Sequence, residues 1–379
     1  MKYVVCVPDG CADEPVPELG GKTPLEYAHL PVLAGLAARA TLGRAQTIPA
    51  GLPPGSDVGN MAIFGYDPAR YHTGRAPIEA AALGLDLTNK IAYRCNLVTV
   101  GADGTMVDFA GGHPSSAAAA EVIAALDAEL GGEVSFHPGV QYRHIMLAPP
   151  SWAEADCYPP HDLADGPALS PTGPTAPQLI QLHERSRAVL DRFDLDATQI
   201  WLWGQGSGPA MPRFFDRFGL QGGLCTEVDL VRGLGVLAGL RVVDVEGANA
   251  WFDTNYEGMR DATIAGLRDG ADVWILHIEA SDEAGHAGDV GEKVKALENW
   301  DSRVLGGLTE ALDEMGPWRM LLLPDHATPL RLKTHTSDAV PYLLLDSERR
   351  GPGGSYTESG VAGCPPVVAH QLMEKLLLR

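Results

Sequence analysis

The chain has 379 residues, 45% of them hydrophobic and 20% charged, a composition that predicts a soluble protein of two domains rather than one small core. With 28 basic against 49 acidic side chains its formal charge is −21. A field of that sign repels nucleic acid and anionic membranes, so neither is an expected partner, and an anionic substrate would need local positive charge from bound cations or placed arginines.

Residues 2–7 are a short apolar, β-rich run that stops at Pro8-Asp9-Gly10, which reads as a buried strand delivering Asp9 at its C-terminal end. That run is too short for a secretory signal, and no apolar run reaches transmembrane length, so a cytoplasmic location is expected. Next comes a rigid Pro/Gly loop, GLPPGSDVGN, with Ser56 as the expected N-cap of a helix. A helix N-terminus also stabilises anions, so the same serine is a candidate metal ligand and nucleophile. From about residue 66 the pattern changes to strand-like pieces at 92–100 and 142–147 around an alanine-rich helix at 115–130. Residues 149–177 are rich in Pro, Ala, Gly and Asp and read as a long loop. This region, 66–194, is expected to be an inserted, smaller α+β domain, with 1–65 and 195–379 forming the larger one.

In the C-terminal half an apolar run at 273–278 leads into EASDEAGH, another at 320–323 ends in Pro324-Asp325-His326, and a third at 340–345 follows KTHTSDA. Helical patterns lie at 263–267, before the first of these runs, and at 292–312, between the first two. Alternating strands and helices predict an α/β domain with a mainly parallel sheet, in which ligands sit beyond the carboxyl ends of the strands. Asp9, Asp282 and Asp325 each lie at or just past such an end. Asp282 and His286 are four apart and would share one helix face. His335 belongs to the loop region that follows His326. Each motif alone has a bland explanation, but three histidines and two aspartates between 282 and 335, all near strand ends, point to a metal centre. Oxygen and imidazole donors suit Mn, Zn, Mg or Fe. His277, inside its apolar run, is expected to be a core histidine. Cys6, Cys11, Cys95, Cys157, Cys225 and Cys364 are scattered without a CxxC pair, so neither a disulfide framework nor a thiolate site is expected. The glycine-rich pieces GQGSG and RGLGVLAG lack a P-loop lysine and fit no dinucleotide fingerprint. Arg75, Arg94, Arg143 and Lys333 are candidates to clamp phosphate or carboxylate. His113 and the His161–Asp162 pair are candidates to line a cleft.

The pieces VPDGCADEP, KTPLEYA, PPGSDVGNMAIFGYDP, YHTGRAPIEAAALG, YRCNLV, HIEASDEAGHAGDV, LPDHATPL and KTHTSDAVPY span nearly the whole chain. In that order they resemble the archaeal-type cofactor-independent phosphoglycerate mutases of the alkaline phosphatase superfamily. The resemblance implies an alkaline-phosphatase-like fold with a substrate-binding cap and two divalent ions, Mn, Mg or Zn. Asp9, Ser56, Asp325 and His326 would hold one ion, and Asp282, His286 and His335 the other. Ser56 would be the nucleophile that takes the phosphoryl group from a small anionic phosphoglycerate, with no bisphosphoglycerate required. Arg94 and Arg143 also sit in pieces that look like the family, and with Arg75, His113 and Lys333 they are the residues expected, from their chemistry, to contact substrate. WLWGQG at 201–206 and FDTNYEG at 252–258 look more like a bacterial branch of the family. Members of that branch have been proposed to phosphorylate homoserine, so a homoserine kinase-like activity or a related phosphatase is the alternative that the resemblance carries.

Overall fold

The computed structural model describes residues 1–377 and divides the chain into two compact units, Met1–His72 with the chain from Met211 onward, and Thr73–Ala210. The first unit is built on an eight-stranded sheet. Its order is Pro366–Val368, Thr41–Gln46, Val340–Asp346, Trp318–Leu322, Lys2–Pro8, Val273–Ile278, Gly222–Cys225 and Arg241–Val243. Only the two pairings made by Val340–Asp346 are antiparallel, so the sheet is mainly parallel as expected. Its three central strands are near-continuous apolar runs because helices cover the sheet. Lys2–Pro8 lies between Val273–Ile278 and Trp318–Leu322, parallel to both. Neighbouring strands are about 4.8 Å apart, so the segments leaving their carboxyl ends, with Asp9, Glu279 and Asp325, emerge side by side.

The helical pattern expected at 292–312 is interrupted. Val290–Asn299 and Gly306–Met315 are α-helical, and Trp300–Leu305 between them is a π-helical turn. The wider turn carries Asp301, whose carboxylate accepts from the amides of Val32 at 3.1 Å and Leu33 at 2.7 Å. It thereby satisfies orphan N–H groups at the start of helix Pro31–Ala37.

The second unit has a five-stranded sheet in which Ile91–Val100 pairs antiparallel with Met106–Asp108, Arg143–Ala148 and Gln199–Ser207, and Ser135–His137 pairs with Arg143–Ala148. Helices Ser116–Leu130 and Ala176–Leu190 close its core through Val122, Ile123, Leu126, Leu179 and Leu182. Strand Gln199–Ser207 completes this sheet, which is why the unit runs to Ala210 rather than ending near 194. It begins at Thr73 rather than 66, because buried Tyr66 belongs to the first unit, where its hydroxyl donates to the Pro212 carbonyl at 2.9 Å. GQGSG lies mostly within that strand, and most of RGLGVLAG in helix Asp229–Leu237, so neither is a nucleotide loop. All six cysteines are free, and among the described residues no helix is long and apolar enough to cross a membrane.

Candidate metal centre

Asp9 follows Pro8, and its amide donates to the Ile278 carbonyl at 2.9 Å, which keeps it in line with the neighbouring strand. The side chain is fully buried, and neither carboxylate oxygen receives an aligned hydrogen bond. His277 Nε2 approaches Oδ2 to 2.9 Å without pointing its N–H along that line. Burial, followed by the charges of Asp325, Glu279 and Asp282, raises the Asp9 carboxyl well above its usual range. Glu279 is raised in the same way, first by burial and then by Asp282.

Asp325 leaves strand Trp318–Leu322 through Leu323 and Pro324. Its Oδ2 accepts from Asn60 Nδ2 at 2.7 Å and lies 3.3 Å from His326 Nε2. Asn60 stands on helix Ser56–Ile63, which packs directly on this turn. A Cβ at Gly59 would come within 2.4 Å of the Asp325 carbonyl oxygen, so only glycine permits that approach. The helix begins one residue earlier than expected: Gly55 is the N-cap and Ser56 the first helical residue, so the Ser56 side chain makes no cap. Its Oγ lies 3.3 Å from His326 Nε2. His326 Nε2 is also 3.8 Å from Asp9 Oδ1. Burial, the largest effect on this ring, lowers the His326 pKa.

Asp282 and His286 share one face of helix Ala280–Ala287, with His286 Nε2 at 3.1 Å from Asp282 Oδ2. His335 Nε2 approaches His286 Nε2 to 2.9 Å and Asp282 Oδ1 to 3.7 Å, and its ring stacks on His326 at 3.9 Å between centroids. Burial opposes charge on Asp282, yet its bonds from His286 and His335 hold it well below the usual carboxylate range. Burial likewise opposes charge on His286, and Asp282 outweighs it to raise the imidazole to about 9. The His286 Nδ1–H donates to the Lys333 carbonyl at 3.0 Å, which orients Nε2 into the cluster. Lys333 thus supports the site with its backbone while its side chain is exposed.

These groups fit divalent cations. Orphaned Asp9 oxygens and further buried carboxylates beside them are costly unless a cation lies among them. The donors form three close-set groups, Asp9 with His277 and Asp325, Asp282 with His326 and His335, and Asp9 with Glu279 and Asp282, the last joining the other two. His326 reaches the first two, through Nε2 and Nδ1 respectively. Nitrogen and oxygen donors without thiolate match the hard or borderline metals expected from the sequence.

In the second unit Arg94, Arg75 and Arg143 cluster. Arg94 is buried, stacks over Trp203 with its guanidinium 4.4 Å from the ring centroid, and pairs through Nε with Glu79 at 2.9 Å. This is a charge contact, because the Nε–H is not aligned with it. Glu79 also accepts from Arg75 at 3.3 Å. Burial first, opposed by Glu79 and assisted by Arg75 and Arg143, lowers the Arg94 pKa to about 10. An edge-to-face chain of rings joins the remaining candidates: His113 to Tyr142, Tyr142 to Phe109, Phe109 to His161 and His161 to Trp203. Arg143 lies over Tyr142 at 5.7 Å.

Residues 37–195 match the family described as 2,3-bisphosphoglycerate-independent phosphoglycerate mutase. A probable mutase of that name from Geobacter sulfurreducens is 44% identical, with 100% of both chains covered. The chain belongs to the 2,3-bisphosphoglycerate-independent phosphoglycerate mutase family. Another relative named for this family, from Methanothrix thermoacetophila, is 46% identical over 92% of this chain and 91% of its own. Among solved structures, a Pyrococcus horikoshii protein superposes with a TM-score of 0.79 at 24% identity, covering 99% of this chain and 96% of that one. The cofactor-independent phosphoglycerate mutase of Thermoplasma acidophilum gives 0.67 at 24%, covering 100% and 99%. Both share the fold.

Several residues around the cluster were not foreseen from the sequence. His277 is fully buried as expected of a core histidine, and burial lowers it to about 4, but it lies against Asp9 rather than among apolar side chains alone. Glu279 is the residue just after strand Val273–Ile278, the same signal that drew attention to Asp9. Its amide donates to Glu227 at 3.0 Å, and Glu227 also accepts from Thr254 of the FDTNYEG piece. The other divergent piece, WLWGQG, supplies Trp203 beneath Arg94.

Proposed function

We propose that the chain interconverts 3-phosphoglycerate and 2-phosphoglycerate through a phosphoserine formed on Ser56. The observation that carries this reading is the position of Ser56 Oγ, 3.3 Å from His326 Nε2 at the edge of the buried carboxylate and imidazole cluster. Asp9, Ser56, Asp325 and His326 would hold one divalent ion, and Asp282, His286 and His335 a second. Bound there, such ions acidify a coordinated hydroxyl and neutralise phosphoryl oxygens. The Ser56 oxygen gives up its proton and attacks phosphorus in line, the P–O bond to the substrate breaks, and the leaving oxygen takes up one proton, so that glycerate and phosphoserine form with no net change in protons. Glycerate stays bound and turns, and its other hydroxyl takes the phosphoryl group back from Ser56. Because the phosphoryl group waits on the serine, no bisphosphoglycerate is needed. Water must be kept from the phosphoserine during the turn, otherwise the enzyme would be a phosphatase. The test is turnover of 3-phosphoglycerate by metal-loaded protein in an enolase-coupled assay without added bisphosphoglycerate, run beside ATP plus homoserine. Mutase turnover is expected in the first, and phosphohomoserine formation alone would overturn the assignment.

The arginines of the second unit are the proposed anchors for the anionic substrate. Arg94 uses Nε for Glu79, so its terminal N–H groups can take a carboxylate or phosphate in bidentate fashion. Lysine keeps the charge but loses both the fork and the flat face that stacks on Trp203. Arg94→Lys is therefore expected to raise KM for 3-phosphoglycerate about tenfold or more, on the order of 1.4 kcal/mol. A KM within twofold of wild type, with circular dichroism unchanged, would remove Arg94 from the substrate site.

A further inference from the structure

Thr328 is fully buried two residues beyond His326, and its surroundings fix it from several directions. A Cβ at Gly10 would come within 2.6 Å of its Oγ1, and one at Gly285 within 2.6 Å of its carbonyl oxygen. That carbonyl accepts from Lys293 Nζ at 2.7 Å, and the same buried ammonium pairs with Asp13 at 2.7 Å. The Thr328 amide donates to the Ala12 carbonyl at 3.3 Å. The hydroxyl is therefore held in place by packing and by a braced backbone.

Counting protons then constrains His326. A hydroxyl carries one proton, and Thr328 donates it to Asp282 Oδ1. Toward His326 Nδ1, 3.2 Å away, the same oxygen can only accept. Nδ1 must then bear the hydrogen, and in a neutral imidazole the other nitrogen is left with the lone pair. That nitrogen, Nε2, is the one at 3.3 Å from Ser56 Oγ, 3.3 Å from Asp325 Oδ2 and 3.8 Å from Asp9 Oδ1. Nδ1 is 3.9 Å from Asp282 Oδ1, so by distance alone the ring has donor atoms near both carboxylate groups. The proton on Nδ1 removes one choice.

We propose that Thr328 is a positioning residue whose single hydroxyl proton selects the Nδ1–H tautomer of His326. The ring's lone pair is thereby turned toward Ser56, Asp9 and Asp325 and away from Asp282. The consequence for metal binding rests on the reading of this cluster as a metal centre, whereas the tautomer does not. The experiment uses metal-stripped full-length protein labelled with 15N-histidine, in long-range 15N–1H spectra at one neutral pH. The His326 signals are identified by their loss in His326→Asn. Wild type and Thr328→Ser are expected to show the Nδ1–H pattern, and Thr328→Val to lose it. Titration of the same proteins with Mn2+ or Zn2+ against a chromophoric chelator should show affinity about 10- to 100-fold weaker in Thr328→Val and near wild type in Thr328→Ser.

An Nε2–H pattern for His326 in wild type would overturn the proposal without recourse to any Thr328 variant, so a poorly folding valine variant does not shelter it. An unchanged tautomer in Thr328→Val would also overturn it, as would a serine variant that behaves like valine, since the methyl group and not the hydroxyl would then be what matters. Absence of mutase turnover in metal-loaded wild type would instead count against the proposed activity, and it leaves the tautomer result standing.

Discussion

Ser56→Ala is expected to reduce mutase turnover by about 10⁴-fold or more, the scale seen when a covalent nucleophile is deleted. The fold should be retained. Ser56 is the first residue of helix Ser56–Ile63, and its side chain caps nothing, so alanine removes no N-cap bond and is a good helix former. In the proposed ligand sets Asp9, Asp325 and His326 would remain for one ion and Asp282, His286 and His335 for the other, so metal content should stay close to that of wild type. Three measurements separate these effects: the enolase-coupled rate, metal content by elemental analysis, and acid-quenched protein after exposure to 32P-phosphoglycerate. Wild type should carry label on Ser56, and the variant none. Turnover within tenfold of wild type would exclude the phosphoserine route, even if the metals were bound as described.

What could be read from the sequence depended on whether a residue's role followed from its place along the chain. Asp9 and Asp325 were legible because each ends an apolar run, and in a parallel sheet such ends share one edge. Asp282 and His286 were legible because a spacing of four puts both on one helix face. His277 was not, since a histidine facing a carboxylate and one packed in a core look alike inside VWILHI. Thr328 and Lys293 were hidden for a different reason. Their partners are Asp282, His326 and Asp13, distant along the chain or undistinguished beside it, and only the folded structure brings them together. The π-helical turn at Trp300–Leu305 leaves the apolar pattern close to that of an uninterrupted helix, so it emerged only with the Asp301 bonds that accompany it. Ser56 shows the limit of motif reading at one-residue resolution: the helix start was located, but which residue capped it was not.

Removing the ions should expose a pH-dependent penalty from the buried carboxylates. In the metal-free protein Asp9 and Glu279 have folded pKa values raised well above their ordinary ones, so the native state binds more protons than the unfolded state once pH exceeds the ordinary carboxylate range. Stability then falls as pH rises. His286, raised to about 9, adds stability that is fully present below its unfolded pKa of about 6.5 and is lost as pH climbs toward 9, which has the same sign. Asp282 is lowered, and its contribution is lost only as pH falls below the usual carboxylate range, so it is constant above about pH 5. Buried histidines act the other way: burial lowers His277 and His326, and His144 and His183 in the second unit, so the unfolded state takes up their protons below about pH 6.5 and stability falls there. The carboxylate effect is therefore read by difference: between pH 5 and pH 7 chelated wild type should lose stability relative to chelated Asp9→Asn. Metal-loaded protein should be more stable at pH 7 than at pH 5, because acid competes with the ions for the same donors. At neutral pH each ion held at 100 to 1,000 times its Kd adds about 3–4 kcal/mol. Asp9→Asn sharpens the test, since it removes a carboxyl whose ionisation favours the unfolded state while keeping the shape. It should stabilise the chelated protein at pH 7, destabilise the metal-loaded one and abolish turnover. An asparagine variant that is less stable than wild type in chelator at pH 7, or whose stability changes between pH 5 and pH 7 as that of wild type does, would mean that the carboxylates do not repel one another as their burial requires.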